Sequence, residues 1–325
     1  MTPRTRQACI LMAVPTVDFA ALSLSQADSS IDWNSSDVRG LCEKLDEAFR
    51  TIGFVFLTNF GVPEDEVEKI FTMYDKFFDL PVDVKNRFRR AEKASGNNGY
   101  VALRRERLDP TKPSDLKETF QTDLSAHEWP DKEVPTLKEE STKFFGSCRD
   151  LGTRVMAAMG RGLDGLKDPD LFVNSHQLIG SLKNRTTLRV LHYPPLPPEN
   201  EIEPGQLRCG EHSDYGSITL LFQDTMGGLQ VKKTAGGYIN VPYVRGAVLV
   251  NLGSLMQQWT SDKYIAARHR VLLPEDPDKR SRIRRSIAFF FHPDDDFVIE
   301  SLDGSNKYEP ITAGEFIDRK FAITY

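Results

Sequence analysis

The chain has 325 residues, enough for one large domain or two ordinary ones with a sizeable core. Its formal net charge of −5 includes no basic excess, which argues against nucleic acid or an anionic membrane surface as partner. Four scattered cysteines form no Cys-x-x-Cys pair and indicate neither a zinc ribbon nor a disulfide framework. The apolar patch Cys9–Ala13 is too short for a membrane span or an ordinary signal peptide, so we expect a cytoplasmic protein.

Helices dominate the predicted structure of the first half. Val14–Phe19 alternates and predicts an edge strand, and Gly53–Phe60 predicts a second strand. Apolar residues at helical spacing predict a helix over Asp37–Thr51, with Asp37 as N-cap, and another from Pro63 to Phe78.

The middle of the chain is less regular. Ser95–Pro113 is rich in Gly, Asn, Arg and Pro and predicts a loop of the kind that walls a pocket. Leu116–Gln121 predicts a short strand. Thr136–Leu166 carries the apolar stripe of one long helix, and Asp168–Ser181 predicts a further short helical piece.

From Thr187 onward, short apolar runs alternate with turns. The predicted strands are Leu188–Tyr193, Ser217–Phe222, Gly228–Val231, Tyr238–Val241, Ala247–Leu252, His269–Leu272, Ser286–His292 and Val298–Ile299. This pattern is typical of a sandwich or jelly-roll.

Two histidines and an aspartate in this second half have the chemistry of a metal site. His212 and Asp214 are two residues apart, so on an extended chain both side chains project from one face. His269 follows several predicted strands later. Two imidazoles and one carboxylate suit a facial triad for non-haem Fe(II), although each histidine taken alone is better explained as a buried, hydrogen-bonded residue.

An arginine and a hydroxyl follow the second histidine. Arg284 suits a carboxylate clamp because guanidinium binds carboxylates in a planar, bidentate manner, and Ser286 shares its face of the strand. The same phase continues to Phe290, which is therefore a candidate wall of a substrate pocket or a plain core residue.

Several segments together resemble the plant-type, isopenicillin N synthase-like family of Fe(II)/2-oxoglutarate-dependent oxygenases. The similar segments are Val14–Asp18, Gly53–Val62, Arg189–Pro195, His212–Gly216, Gly227–Val231, Asn251–Gly253 and Arg268–Val271. The resemblance implies a β-rich α+β fold, with a double-stranded β-helix (jelly-roll) core flanked by helices. Residues 1–125 are expected to form an N-terminal region packed on the core, and residues 126–325 the long helix and the core, as one integrated unit.

The resemblance also implies roles for individual residues. The iron ligands would be His212, Asp214 and His269. The contacts to 2-oxoglutarate would be Arg284, Ser286 and Tyr193. Leu191 stands where the family usually has asparagine, so any polar contact from that position is lost.

The reaction implied by the resemblance couples decarboxylation of 2-oxoglutarate, to succinate and CO2, with oxidation of a substrate C–H bond by O2. Hydroxylation, desaturation and ring closure all remain possible outcomes. The expected substrate is a free small molecule of the kind met in secondary metabolism, bound by a monomer or weak homo-oligomer. Candidate pocket residues are Tyr100, Arg104, Phe120 and Phe290.

Two alternatives remain open from the sequence. One is an iron oxidase that does not use 2-oxoglutarate, like isopenicillin N synthase or aminocyclopropane-carboxylate oxidase, an option that Leu191 keeps open. The other is a non-catalytic member that binds a ligand without turnover.

Overall fold

A computed structural model describes residues 13–90, 98–125 and 128–324. The N-terminal patch Cys9–Ala13 therefore lies almost entirely outside the described residues. The helices are α1 Ser36–Thr51, α2 Glu64–Phe78, α3 Val82–Asn86, α4 Leu137–Gly162, α5 Leu171–Asn174, α6 Ser254–Trp259, α7 Pro277–Arg280 and α8 Ala313–Thr324. The first seven strands are β1 Thr16–Asp18, β2 Phe54–Thr58, β3 Gly99–Val101, β4 Glu118–Thr122, β5 Thr187–Tyr193, β6 Cys209–His212 and β7 Ile218–Gln223. The remaining strands are β8 Leu229–Lys232, β9 Tyr238–Asn240, β10 Ala247–Leu252, β11 His269–Val271, β12 Arg284–Phe290, β13 Val298–Ile299 and β14 Ile311–Thr312.

Most strands belong to two sheets. The major sheet has eight strands in the order β1-β2-β10-β7-β12-β5-β4-β3, and the minor sheet has four in the order β6-β11-β8-β9. Strands from the first 125 residues pair into the major sheet on both sides: β2 lies beside β10, and β4 lies beside β5. The sheet is therefore built from both regions that the sequence distinguishes.

The two faces of the major sheet pack against different layers. On β2, Val55 and Leu57 contact the helical layer, whereas Phe54 and Phe56 belong to the core between the two sheets. This alternation follows from the two-residue period of a strand. The resulting order of helices, major sheet and minor sheet confirms the predicted jelly-roll core flanked by helices.

The long predicted helices are confirmed with small changes at their ends. Helix α1 begins one residue before its predicted start, and its N-cap is Ser35, whose Oγ accepts a hydrogen bond from the backbone N–H of Val38 at 3.3 Å. The prediction of Asp37 as N-cap is wrong because that residue already lies in the first turn. Pro63 precedes α2, and α4 covers most of the predicted long helix.

Several helices and strands of the structure were not predicted from the sequence. The predicted loop Ser95–Pro113 contains β3, which pairs with β4. Strand β6 and helices α6 and α8 were not anticipated either. In β3, β6 and α6 too few apolar residues recur to show a period, so tertiary contacts define them. Helix α8 has 12 residues, so its length does not explain why it was not predicted. Among the helices of the described residues, none is both long and apolar enough to cross a membrane.

Two glycines of α4 give a matched stability test. A Cβ at Gly152 would lie 1.9 Å from the ring of Phe291, whereas a Cβ at Gly146 meets no atom within 4 Å. We expect Gly152→Ala to lower the free energy of unfolding by about 1–3 kcal/mol through overpacking. Gly146→Ala should raise it by up to about 1 kcal/mol because alanine favours a helix. Chemical denaturation measures both, and equal effects of the two substitutions would contradict this packing.

Candidate active site

The predicted metal ligands converge where the minor sheet meets the start of β7. His212 ends β6 and His269 begins β11, and the two residues pair directly across these strands. Asp214 lies two residues beyond His212, with its Oδ1 3.6 Å from Nε2 of His212 and 3.8 Å from Nε2 of His269. The three potential ligand atoms all lie within 4.8 Å of one another.

Both imidazoles are oriented by the backbone. Nδ1 of His212 lies 2.8 Å from the carbonyl oxygen of Gly210, and Nδ1 of His269 lies 3.2 Å from that of Ala267. Each Nδ1 carries the proton because a carbonyl oxygen can only accept, so Nε2 retains its lone pair. This arrangement is characteristic of metal-binding histidines.

The two oxygens of the Asp214 carboxylate have different neighbours. Its Oδ2 accepts hydrogen bonds from Thr219 Oγ1 at 2.6 Å and from Asn251 Nδ2 at 2.7 Å. Thr219 and Asn251 are directly opposite each other on β7 and β10. The major sheet therefore fixes one oxygen and leaves Oδ1 directed at the two histidines.

The turn that carries Asp214 is held by the first turn of α6. Backbone N–H groups of Ser254 and Leu255 donate to the carbonyls of Asp214 and Tyr215, at 2.8 and 3.0 Å. These N–H groups have no partner within their own helix, so the turn satisfies them. Gly253 permits the contact, because a Cβ there would lie 2.2 Å from the carbonyl oxygen of Gly216.

The protonation states suit a divalent cation. Burial, followed by the neighbouring His269, lowers the pKa of His212 to about 3, so its imidazole is neutral. Burial alone would raise the pKa of Asp214, but the two histidines and its hydrogen bonds lower it overall. Two imidazole nitrogens and one carboxylate oxygen fit an Fe(II) ion and leave coordination positions open.

The predicted clamp residues meet at one end of the major sheet. Arg284 pairs with Tyr193 across β12 and β5, and its Cζ lies 4.8 Å from the centroid of the tyrosine ring. Its Nη1 donates to Ser286 Oγ at 3.4 Å, and its Nε donates to the carbonyl of Gly227 at 2.8 Å. Among the described residues, no carboxylate forms an ion pair with Arg284, which is 1% exposed. A buried, uncompensated guanidinium favours an anionic ligand.

Sequence reasoning missed several polar residues of the inner face. Gln223 accepts from Nη2 of Arg284 at 3.4 Å, and Thr219 and Asn251 support Asp214. Asn251 lies in a segment that shows the family resemblance, and strand phase places Thr219 beside it. Only the pairing of β7 with β10 and β12 shows what these side chains contact.

A cavity of about 470 Å³ opens beside His212 and Asp214. Gln121, Thr187, Arg189 and Phe290 line it from the inner face of the major sheet. Residues of α8 close another side, among them Phe321, whose ring contacts Tyr215 edge-on, and Asp318. The cavity volume is typical of small-molecule sites.

Three of the four predicted pocket residues do not line this cavity. Tyr100 and Phe120 pack with Phe77 in the helical layer, on the opposite face of the major sheet. That prediction is wrong because strand alternation turns Gln121, not Phe120, inward. Arg104 lies outside the cavity as well and forms an exposed ion pair with Glu203. Phe290 does line the cavity.

A buried charge network backs the polar wall of the cavity. Arg189 forms an ion pair with Glu106, which in turn lies near Lys117, and Lys117 pairs with Asp115. Burial would raise the pKa of Glu106, but Arg189 and Lys117 lower it well below its usual value. Because a buried carboxylate compensates its charge, Arg189 presents hydrogen-bond donors to the cavity without acting as a free cation.

Comparison with known proteins identifies the class. Residues 185–293 match the 2OG-Fe(II) oxygenase superfamily, and residues 14–140 match the N-terminal region described for the non-haem dioxygenase in morphine synthesis. The 2-oxoglutarate-Fe(II) type oxidoreductase ppzD of Metarhizium rileyi is 31% identical over 96% of this chain and 91% of its own length. The proline hydroxylase buaE of Petromyces alliaceus is 29% identical over 87% of this chain and 93% of its own.

A solved structure gives the same result. A full-length protein of Neurospora crassa, crystallised in complex with α-ketoglutarate (2-oxoglutarate) and thymine, superposes with a TM-score of 0.83. It is 32% identical, and the match covers 96% of this chain and 97% of that one.

The chain belongs to the isopenicillin N synthase-like family of Fe(II)- and 2-oxoglutarate-dependent oxygenases. It is an oxidoreductase, a dioxygenase that uses Fe(II), 2-oxoglutarate and O2 on a small-molecule metabolite. The family and reaction class predicted from the sequence are thereby confirmed.

The hydrogen bond from Thr219 to Asp214 can be removed with little change in shape. We expect Thr219→Val to weaken metal binding by roughly 10- to 100-fold, because the carboxylate loses one of its two orienting donors. Competition with a chelator measures the affinity of the purified protein for Fe(II) or Co(II). Thr153→Val is the matched control, since that hydroxyl bonds only within α4. Equal metal affinity of the two variants would contradict the role of Thr219.

Proposed function

We propose that His212, Asp214 and His269 are the iron ligands of this oxygenase. The observation that carries the proposal is the orientation of the three side chains, each of which is held by one atom and keeps its other donor atom turned toward the shared space. Asp214 has a carboxylate oxygen of this kind, and each histidine has Nε2. Such pre-orientation raises metal affinity because little side-chain entropy is lost on binding.

We further propose that Arg284, Ser286 and Tyr193 bind the distal carboxylate of 2-oxoglutarate. Arg284 is a permanent cation with no ion-pair partner among the described residues. Burial raises the pKa of Tyr193, so its hydroxyl remains a hydrogen-bond donor. Leu191, where the family usually has asparagine, is buried between the sheets and is not a polar contact.

When bound, iron and 2-oxoglutarate supply the activation of O2 and the oxidation of a C–H bond. The residues of the chain position the reactants and exclude water. The triad lies where the minor sheet meets the start of β7, and the clamp lies on the inner face of the major sheet. We propose that they hold the two ends of the co-substrate. Phe290, which lines the cavity, shields the reacting end from solvent on the substrate side.

For the substrate, we propose a small, polar, nitrogen-containing ring compound that undergoes hydroxylation. The cavity wall offers the amide of Gln121, the hydroxyl of Thr187 and the compensated Arg189, beside the apolar ring of Phe290. This mixture suits hydrogen bonding to a ring with a polar edge. Two similar proteins support this class, since one is named a proline hydroxylase and the other was solved with thymine.

We propose that the protein works in the cytoplasm as a monomer or weak homo-oligomer, without a nucleic-acid or membrane partner. A formal net charge of −5 supports this view, because neither polyanion would attract it. We also propose that the regions 1–125 and 126–325 act as one unit, since β2 and β4 pair with strands of the second region.

The ligand assignments predict distinct failures on substitution. His212→Ala and Asp214→Ala should lose bound iron and turnover together, because each removes a ligand. Arg284→Met should keep iron but need far more 2-oxoglutarate. Anaerobic titration with Fe(II), followed by 2-oxoglutarate, measures both steps through the visible absorption of the iron chelate.

Arg270→Met serves as the control, because Arg270 bonds to Gln230 on the minor sheet. Retention of iron by His212→Ala would contradict the ligand assignment. If the native protein binds iron but develops no chelate absorption with 2-oxoglutarate, an oxidase that does not use this co-substrate becomes the better explanation.

Succinate release tests the substrate class, with proline and thymine as the first probes. We expect a true substrate to raise release above the background without substrate, and Gln121→Leu to raise its KM about tenfold through loss of a hydrogen bond. The Kd for 2-oxoglutarate should not change in that variant. If no nitrogen-containing ring compound raises release, the proposed substrate class is wrong.

A further inference from the structure

A second buried guanidinium, that of Arg208, lies near the clamp arginine. Arg208 immediately precedes β6 and is 2% exposed. Its Nε is buried without a hydrogen-bond partner, and its Nη2 makes only a long bond of 3.3 Å to the carbonyl of Arg282. Arg282 stands two residues before Arg284, so this bond directs the Arg208 guanidinium toward the beginning of β12.

The backbone places both arginines at the same end of the space between the sheets. The N–H of Arg208 donates to the carbonyl of Val271 on β11 at 3.0 Å. On the other side of β11, Leu272 donates to Gly228, next to the Gly227 carbonyl that accepts from Arg284. Burial, followed by repulsion from Arg284, lowers the pKa of Arg208 to about 10, which still leaves it charged at neutral pH.

Two buried cations in one region are unfavourable unless an anion joins them. Within the described residues, neither Arg208 nor Arg284 forms an ion pair with a carboxylate. Other buried cations of this protein do have such partners, for example Lys85 with Glu118 and Lys117 with Asp115. Asp224 raises the pKa of Arg208, but its carboxylate bonds to the backbone N–H of Arg285 rather than to either guanidinium. The two arginines at this end of the barrel therefore lack an ion-pair partner among the described residues.

We propose that Arg208 is a second binding residue for the distal carboxylate of 2-oxoglutarate, acting beside Arg284. This inference rests on the proposed function of the Arg284 clamp and adds a member to it. The orphaned Nε of Arg208 is the donor that the carboxylate satisfies, and the anion relieves the repulsion between the two guanidinium groups. Binding of the co-substrate thus relieves an electrostatic repulsion that is present in the free protein.

The test compares two co-substrates on the full-length, Fe(II)-loaded protein under anaerobic conditions. 2-Oxoglutarate carries the distal carboxylate, and 2-oxopentanoate has the same chain with a methyl group in its place. Chelate absorption gives the Kd of each ligand. In the Arg208→Met protein we expect the Kd for 2-oxoglutarate to rise roughly 10- to 100-fold, the usual loss for a hydrogen bond to a charged group.

The Kd for 2-oxopentanoate should change by less than about twofold in the same variant, because that ligand does not contact Arg208. Arg208→Lys should restore part of the preference for 2-oxoglutarate. The ligand-free Arg208→Met protein should melt at the same temperature as the native protein or higher, since one unpaired buried charge has been removed. Arg270→Met again serves as the control arginine.

The possible outcomes distinguish the role of Arg208 from the role proposed for the Arg284 clamp. Equal weakening of both ligands by Arg208→Met, or a lower melting temperature with unchanged ligand preference, would assign Arg208 a structural role and overturn the proposal. If Arg284→Met abolishes the preference for 2-oxoglutarate and Arg208→Met does not, the clamp stands and only this inference fails. If the native protein shows no preference for 2-oxoglutarate, the proposed clamp itself is wrong.

Discussion

The site depends on how the two oxygens of the Asp214 carboxylate are bonded, because only one of them accepts hydrogen bonds from the major sheet. One oxygen is bound by Thr219 and Asn251, so the major sheet determines where the other oxygen points. The two donors face each other across β7 and β10, and β10 also pairs with β2 from the N-terminal region. The position of one proposed ligand atom thus depends on strands from distant parts of the chain.

The inner face of the major sheet carries polar side chains beside the apolar core that it shares with the minor sheet. Helix-facing positions are filled by side chains such as Val55, Leu220 and Phe289, whose burial stabilises the fold. Inward positions hold two kinds of side chain: apolar ones that pack against the minor sheet, such as Phe54, Phe56 and Leu249, and others that face the cavity and the clamp. Neighbouring residues of one strand therefore have different roles where the strand borders the site. On β12, Phe289 packs in the helical core and Phe290 lines the cavity.

The two charged regions of the interior are organised differently. Near the cavity, Arg189 and Lys117 form ion pairs with Glu106 and Asp115. At the clamp, Arg284 has no such compensation among the described residues. This contrast fits a site that takes the anionic co-substrate at the clamp.

The sequence alone determined the family and the jelly-roll class, because this chemistry requires particular residue types in a particular order. The six residues proposed for the triad and clamp come from the same order of residue types. It also determined the long helices, whose apolar stripes are local patterns. Only the tertiary structure decided which face of β4 points inward, because alternation defines two faces without saying which is inside. It shows that Gln121, rather than the predicted Phe120, lines the cavity. The hydrogen bonds of Asp214, and the placement of Arg208 and Arg284 at one end of the space between the sheets, depend on strands far apart in the chain, and no local pattern predicts them.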